Sequence, residues 1–387
     1  MRAKILKNEK GSALLISLML MGMLTLLAIM AVRSSNTDID LAFNQINSDK
    51  SFYIAEAGAK RSIAKLNDDP TWTTGFSNIS FNGGTYTVQI TDSSINAALD
   101  DTIIITSSGW TMDAQSTIEM TVVPIINNPF RYALFADDDV ELKNSMMTDS
   151  YNSDSGSYAS TRDTLYGDVG SNGTITLKNG ASVGGDVTTS SDSTSLDINA
   201  GAIVTGDVRS DAPEETVDPI PQTEFDLAAL NNDNLTGISD PSAYNSSTDA
   251  FETNGTVTLS DGTYYFSSFI LKNSAELIIA PGADVTIYVT GDIEIKNSGG
   301  VNIGGNPADL MFFSQGDIVL KNSGDLYGTF YSPDGDADLR NSADFYGSIV
   351  ANTIIVHNSA NFHYDRNLEK ITIGGIIGYE AVAWREL

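Results

Sequence analysis

Hydrophobic and polar positions divide the chain into three regimes. The first is a basic leader followed by an apolar run: from Ala13 to Val32 only Ser17, Gly22 and Thr25 interrupt it, and no charge falls inside. Twenty helical residues span about 30 Å, the thickness of a bilayer core. The apolar core of a cleaved secretory signal is shorter, about 7–15 residues, and no small-x-small peptidase site follows at 36–43. The pattern predicts a membrane-crossing helix that is retained. Arg2, Lys4, Lys7 and Lys10 all precede it, so the positive-inside rule keeps the N-terminus cytoplasmic and sends the chain beyond Arg33 outward.

Helical periodicity continues past the apolar run. Ile39, Phe43, Ile46, Tyr53, Ala57 and Ala64 recur at spacings of three, four or seven, with Asp38, Asp40, Asp49, Lys50, Glu56, Lys60 and Arg61 mostly off that stripe. Asp68, Asp69 and Pro70 mark the end. The predicted helix, residues 12–67, is a rod of roughly 80 Å, suited to packing helix on helix. Over residues 71–125, "GTYTVQITD", "TIIITSSGW" and "STIEMTVV" alternate β-prone and polar residues between turn signals, which predicts a small antiparallel meander packed on the helix. "PIINNP" reads as a linker.

The third regime is repetitive. "VELKNS" at 140, "ITLKNG" at 175, "FILKNS" at 269, "IEIKNS" at 293, "IVLKNS" at 318, "ADLRNS" at 337 and "IIVHNS" at 354 share a β-prone triplet, a basic or imidazole residue, Asn, then Ser or Gly. "LDINAG" at 196 is a degenerate copy with Ala200 in the Asn place, and Gly-Asp-Val or Gly-Asp-Ile recurs at 167, 185, 206, 291 and 316. Neighbouring copies lie mostly 17 to 25 residues apart. Short strands at that period predict a parallel β-helix over 130–365, of about eight or nine coils and about 40 Å tall. A proline-rich stretch and helical run at about 209–250 form an insertion that covers a flank or an end. The tail, 366–387, leaves the repeat and is expected to cap the stack.

Three sets of residues in the repeat carry candidate chemistry. Asn144, Asn179, Asn273, Asn297, Asn322, Asn341 and Asn358 sit where a corner needs a left-handed residue, and inward-pointing amides would form a ladder from coil to coil. Lys143, Lys178, Lys272, Lys296, Lys321 and Arg340, with His357, would line up as a cationic stripe. Either each pairs with an acid on adjacent coils, such as the Asp of the Gly-Asp repeats, or the stripe binds an anionic polymer. In "SPDGDADLRN", Asp334, Asp336 and Asp338 share a strand face, and three such carboxylates are calcium-ligand material. The remainder of an EF-hand loop is absent, so a solvated acidic face is the alternative. Only two histidines occur, His357 and His363, without Ser-His-Asp or metal-ligand spacing.

Composition narrows the classes. The chain has no Cys, excluding disulfides and thiolate metal sites. Without residues 1–11 it has 21 − 4 = 17 basic against 50 − 1 = 49 acidic residues, a net charge of −32 that excludes a nucleic-acid binder. Its apolar content of 41% is ordinary, which argues against disorder.

Gly11 stands before the apolar run, not after it. This arrangement resembles the class III leader of type IV pilins and type II secretion pseudopilins, in which a prepilin peptidase cuts after such a Gly. The resemblance places the processing site at Lys10, Gly11 and Ser12, makes 1–11 the leader and starts the mature chain at Ser12. More narrowly, "GSALLISLMLMGMLTLLAIMAVRSS" followed by "AEAGAKRSIAKL" is similar to PilX-like minor pilins, and the "HYD" and terminal "WRE" resemble the β-helix module fused to such N-termini. Major pilins carry Glu at the fifth mature residue, where this chain has Ile16. That departure resembles minor subunits assigned to filament tips.

The expected fold is a long N-terminal helix, a small pilin-like sheet and a parallel β-helix. The expected function is that of a non-enzymatic minor pilin of a type IV pilus-like fibre, at the tip, supporting assembly and displaying the β-helix for attachment. It would begin as a single-pass inner-membrane precursor and finish on the cell surface. Implied partners are the prepilin peptidase, other minor and major pilins, and a surface glycan or a host or abiotic surface, with no nucleic acid; calcium is the one cofactor considered. The alternatives are a membrane-tethered carbohydrate-active enzyme and a bactofilin-like scaffold.

Overall fold

The computed structural model describes residues 9–92, 102–126, 128–296, 299–321, 324–340, 343–357, 359–371 and 376–387. The chain forms two compact units: Met1–Asn127 with Gly374–Leu387, and Asn128–Ile373.

In the first unit, helix α1 runs unbroken from Glu9 to Asp68, 60 residues or about 90 Å. Strands β1 (Phe76–Phe81), β2 (Gly84–Thr91), β3 (Ile103–Trp110) and β4 (Gln115–Ile126) form an antiparallel meander. β4 continues through Pro124 and Ile125, so the stretch expected to be a linker is partly strand.

Helix and sheet meet on a face the apolar stripe did not mark. Ser51, Ile54, Ala55, Ala59, Ser62 and Leu66 are buried against Tyr86, Val88, Ile103, Ile105 and Met120. The small residues allow backbone-close contact. A Cβ on Gly109 would lie 2.4 Å from the Ser51 carbonyl oxygen and 2.5 Å from the Ala55 nitrogen. Ser51 and Ser116 hydroxyls share a hydrogen bond of 2.9 Å, and Arg61 donates to the Tyr86 hydroxyl at 2.7 Å.

The tail corrects the expected boundary. Residues 376–386 do not cap the solenoid: they form a fifth strand, antiparallel to β4, from Ile376 opposite Ile126 to Glu386 opposite Ile118. The Tyr379 backbone nitrogen donates to Asn67 Oδ1 on α1 at 2.7 Å. Val382 and Trp384 on it are both more than half exposed, as on an edge strand with an uncovered face.

The second unit is a three-faced parallel β-helix, with strand-to-strand pairing that does not follow chain order. On the first face Phe251, Phe269, Ile293, Ile318, Ala337 and Ile354 stack inward in sequence, and the next rungs are Val140, Ile175 and Leu196. The stack therefore begins near 250, runs to 365 and continues with 134–209. One coil is shared. Residues 354–356 and 361–365 supply two of its faces, and Leu134–Ala136, lying between 349–351 and 169–171, supplies the third. Inward positions form one continuous core from Phe251 to Val187, with Phe251 on Phe269 and Phe312 on Phe330 stacked at 4.6 Å.

The insertion connects the two ends of this order. It follows the third face, where the Asn172 side chain donates to the Glu215 carbonyl, Tyr331 donates to the Asp218 carbonyl, Gln315 donates to Gln222, and Phe225 of the helix Gln222–Leu230 meets Tyr288. It then closes the coil at 250–266 through Ile238, Ala243 and Tyr244. The cap is thus inside the insertion.

Candidate functional site

The first candidate surface is α1 itself. Its apolar residues from Leu14 to Val32 are all at least half exposed, Ile16 among them, and so are Ile39, Phe43, Ile46 and Tyr53. Ala57 is half-buried and Ala64 exposed. The helix thus presents an uncovered apolar face separate from the one that holds its own sheet. It is also long and apolar enough to cross a membrane. Lys10, Gly11 and Ser12 lie within its first turns; the leader before Glu9 is outside the described residues.

The second is the first face of the β-helix, where the predicted cationic column is real but neutralised. The middle, outward positions of the first-face strands, each two residues before a cation except at Glu252 and Asp197, read Glu252, Ile270, Glu294, Val319, Asp338, Ile355, Glu141, Thr176 and Asp197 in stack order. Acids therefore alternate with uncharged residues. Adjacent coils are about 4.8 Å apart, so alternation separates like charges by about 10 Å, roughly a Debye length. Four of the five acids hold cations from their own or the next coil: Lys272 to Glu252 at 2.5 Å, Lys296 to Glu294, Arg340 and His357 to Asp338 at 2.8 and 3.2 Å, and Lys143 and Lys178 to Glu141 at 2.6 and 2.7 Å. Burial tends to raise the Glu141 pKa, but the two lysines outweigh it and leave the carboxyl below its ordinary range. Lys321, whose outward neighbour is Val319, makes no ion pair among the described residues. With every cation but Lys321 paired, the stripe is not the bare positive row that a polyanion requires.

The same pairing corrects the calcium expectation. Asp334 and Asp336 are exposed as the strand alternation requires, but Asp338 is taken by Arg340 and His357, and Asp336 accepts from the Asn352 side chain at 3.2 Å. Among the described residues no group of three or more His, Cys, Asp or Glu is arranged to hold a metal.

The inward Asn ladder is also corrected. Asn144, Asn179 and Asn273 adopt the left-handed conformation, with φ of 58°, 52° and 58°, yet all three are exposed. One outward rung forms, Asn179 to Asn144 at 3.2 Å, and Asn144 donates to the His357 carbonyl. Asn297, Asn322, Asn341 and Asn358 lie outside the described residues. The chain re-enters the core two residues later, at Met146, Ala181, Ala275, Ala343 and Ala360, all buried. At the described corners the left-handed Asn144, Asn179 and Asn273 turn their side chains out, and Met146, Ala181 and Ala275 turn in.

The ladder is made by aspartate instead. At the strand entries one carboxylate accepts the backbone N–H of its counterpart on the next coil: Asp317 to Asp292 and Asp336 to Asp317 at 3.0 Å, Asp186 to Asp168 at 2.7 Å, Asp207 to Asp186 at 2.8 Å, and Asp284 to Asp261 at 2.9 Å. These carboxylates are therefore structural. They satisfy corner N–H groups that leave the strand ladder. The Gly-Asp repeat was the visible signal, misassigned to charge pairing. Burial, with Asp186 adding repulsion, holds the Asp168 pKa above the ordinary carboxylate value.

A further cluster lies where the shared coil meets its neighbours. His363 is buried, with Nδ1 2.5 Å from Asp149 Oδ1 and Nε2 3.7 Å from Asp344. Asp149 also accepts from Tyr158 at 2.8 Å and Arg162 Nε at 2.7 Å. The rings of Tyr158 and Tyr346 enclose the imidazole at 4.2 and 4.6 Å. Burial and the bond to Asp149 raise the Tyr158 pKa. His363 Nε2 is buried and has no hydrogen-bond partner. Sequence reasoning missed this cluster because Asp149 and His363 are 214 positions apart and meet only through the out-of-order stacking.

Residues 10–60 match the family described as PilX N-terminal, and residues 268–371 match one described as a domain of unknown function (DUF7305). No curated protein matches the chain. Among solved structures, the competence-associated pilin ComZ from Thermus thermophilus is 12% identical, covering 88% of this chain and 97% of that one at a TM-score of 0.36. An ice-binding protein domain from Shewanella frigidimarina is 13% identical, covering 63% and 98% at 0.35, and a glycosylated ice-binding protein from Arctic yeast is 12% identical, covering 65% and 97% at 0.37.

Proposed function

We propose that this chain, which carries the N-terminal helix of a PilX-type type IV minor pilin, is a tip subunit that initiates assembly and displays its β-helix for attachment. The observation that carries the reading is the uncovered apolar face of α1. Ile39, Phe43, Ile46 and Tyr53 lie beyond the membrane-length segment and are more than half exposed, which is costly for a solitary anchor and expected of a helix that packs among other helices. A β-helix of this size would crowd the side of a packed fibre, and Ile16 in place of an acid removes the charge that could neutralise a neighbouring amine; both support an end position.

The proposed precursor spans the inner membrane once with its C-terminus outside, is cut between Gly11 and Ser12 by a prepilin peptidase, and enters a surface fibre with other pilins. The proposed role is non-catalytic and needs no cofactor, calcium included. In support, the buried His363 faces Asp344 with the nitrogen a nucleophile would need.

The test is mass spectrometry of the mature N-terminus with and without the peptidase, joined to immunogold labelling of sheared fibres. A peptidase-dependent start at Ser12 and label confined to fibre ends are expected. An intact Met1 removes the pilin pathway, and label along the shaft removes the tip. Phe43→Asp should abolish recovery in sheared fibres while leaving the membrane pool intact.

A further inference from the structure

The third face of the β-helix carries an outward column of rings interrupted by Val350. In stack order its positions are Tyr265, Tyr288, Phe313, Tyr331, Val350 and Phe135, then Gly170, Thr188 and Arg209. Along Tyr288 to Phe135 the insertion and the 128–133 segment bury the column as a second apolar cluster. At Gly170 the column loses its side chain, and the Tyr132 ring takes the place: a Cβ there would lie 2.8 Å from Tyr132 Cε1 and 2.7 Å from Phe135 Cδ2. At Thr188 nothing replaces the missing ring. The result is a groove of about 790 Å³ bounded by Tyr132, Thr188, Asp168, Arg209 and the 210–215 segment. That volume lies within the roughly 300–1,000 Å³ range of ligand pockets.

We propose that this groove is a saccharide-binding site, in which a neutral pyranose occupies the empty rung at Thr188, its apolar face toward Tyr132 and its hydroxyls toward Asp168, Thr188 and Arg209. The occupant must match what the column offers. A ring with one C–H face continues an aromatic stack, and a hydroxylated rim supplies donors to carboxylates that water otherwise serves. A purely aromatic ligand would strip water from Asp168 and return no hydrogen bond. An anionic sugar is disfavoured by charge: Arg131 and Arg209 line the groove against Asp168, Asp186, Asp211 and Glu215, and both arginines are already committed, Arg131 to Glu215 and Arg209 to Asp186 and Asp207. The inference gives the proposed attachment role a ligand class and rests on that role only for its biological use.

The test uses the full chain in detergent on a panel of neutral, uronate or sulfated, and free aromatic-peptide probes, comparing wild type with Thr188→Phe. The phenyl ring of T188F completes the column with the chain's own side chain and should leave the far-UV circular dichroism unchanged. Retention of neutral oligosaccharides by wild type, weakened at least tenfold by T188F, is the expected result. No neutral saccharide bound, equal binding by T188F, or preference for the acidic or peptide probes would each overturn the proposal. Fibres carrying T188F separate it from the display reading. Adhesion that survives the loss of glycan binding places attachment elsewhere and leaves the groove standing, whereas glycan binding by a chain never found on fibres removes display alone.

Discussion

Truncating Leu134 tests whether the β-helix is stacked out of chain order. Leu134 is fully buried, inward on the third face between Ile349 and Val169. Leu134→Ala removes three core carbons, which costs about 2–5 kcal/mol depending on how far the site collapses. In a solenoid each coil leans only on its neighbours, so the loss should stay at this junction. The strands of 169–189 reach the remainder of the stack through 134–151, and those of 196–209 pair only with that same block. A weakened junction therefore frees the block 169–209, while 250–314 keeps its own pairings. At about 3 kcal/mol, amide protection in 169–209 should fall roughly a hundredfold, read by hydrogen-exchange mass spectrometry of the full chain in detergent. Ile287→Ala is the control: Ile287 is equally buried in the same inward column, but between Tyr264 and Phe312. It should loosen 250–314 and spare 169–209. If L134A loosens both blocks equally, or leaves 169–209 protected, the shared coil is wrong.

Asn179→Ala should lower the thermal midpoint, because Ala pays about 1–2 kcal/mol at a left-handed φ that Asn tolerates, and Asn179→Gly should not; equal losses would assign the residue to its side-chain bonds instead. Two carboxylates should titrate with opposite sign. Glu141 lies below its ordinary pKa, so its contribution is complete above the carboxylate range and lost as pH falls through the lowered value; Glu141→Gln should be less stable than wild type near neutrality and equal to it in strong acid. Asp168 lies above its ordinary pKa, so its ionisation opposes folding; Asp168→Asn should be more stable near neutrality, with the gap closing as pH falls to the ordinary carboxylate value. Midpoints measured against pH for the three proteins decide this, and two gaps of the same sign would refute it. Gly109→Val should detach α1 from its sheet, since its Cβ would sit 2.4 Å from the Ser51 oxygen; unchanged near-ultraviolet dichroism would show that the contact is dispensable.

The helix, the repeat and the left-handed corners were legible because each is a local property: an uncharged run, a fixed period, a residue type that tolerates positive φ. Stack order was not. Every first-face strand has the same form, an inward pair such as Ile318 and Leu320 around one outward residue, so no strand names its neighbour, and the partner of Val140 is Ile354 for reasons of chain path. The Asn and Asp roles were exchanged because both amide and carboxylate can satisfy a corner. What separates them is direction: the left-handed Asn faces outward, while Asp at the strand entry stays in line with the next coil's N–H. The groove had no sequence signal at all, since it is made by what Gly170 and Thr188 lack.

The tail's return to the small sheet gives the attachment reading a mechanical form. The β-helix is inserted between β4 and the strand 376–386, and these two are antiparallel partners whose ends join at Ile126 and Ile376. A pull on the display unit is therefore shared by two strands leaving the same end of one sheet. β4 resists through its ladder with β3, from Val122 opposite Ile103 to Gln115 opposite Trp110. The final strand is tied to α1 through Asn67 and Tyr379. Load thus reaches the helix by two routes, and the helix is the element that the proposed function places in the fibre. Weakening the second route, with Asn67→Ala, which removes its hydrogen bond but keeps Tyr379 in the core beside Ile54, Ala59 and Leu66, should leave fibre incorporation unchanged and reduce the force at which single fibres release a bound surface; an unchanged release force would show that this hydrogen bond carries no load.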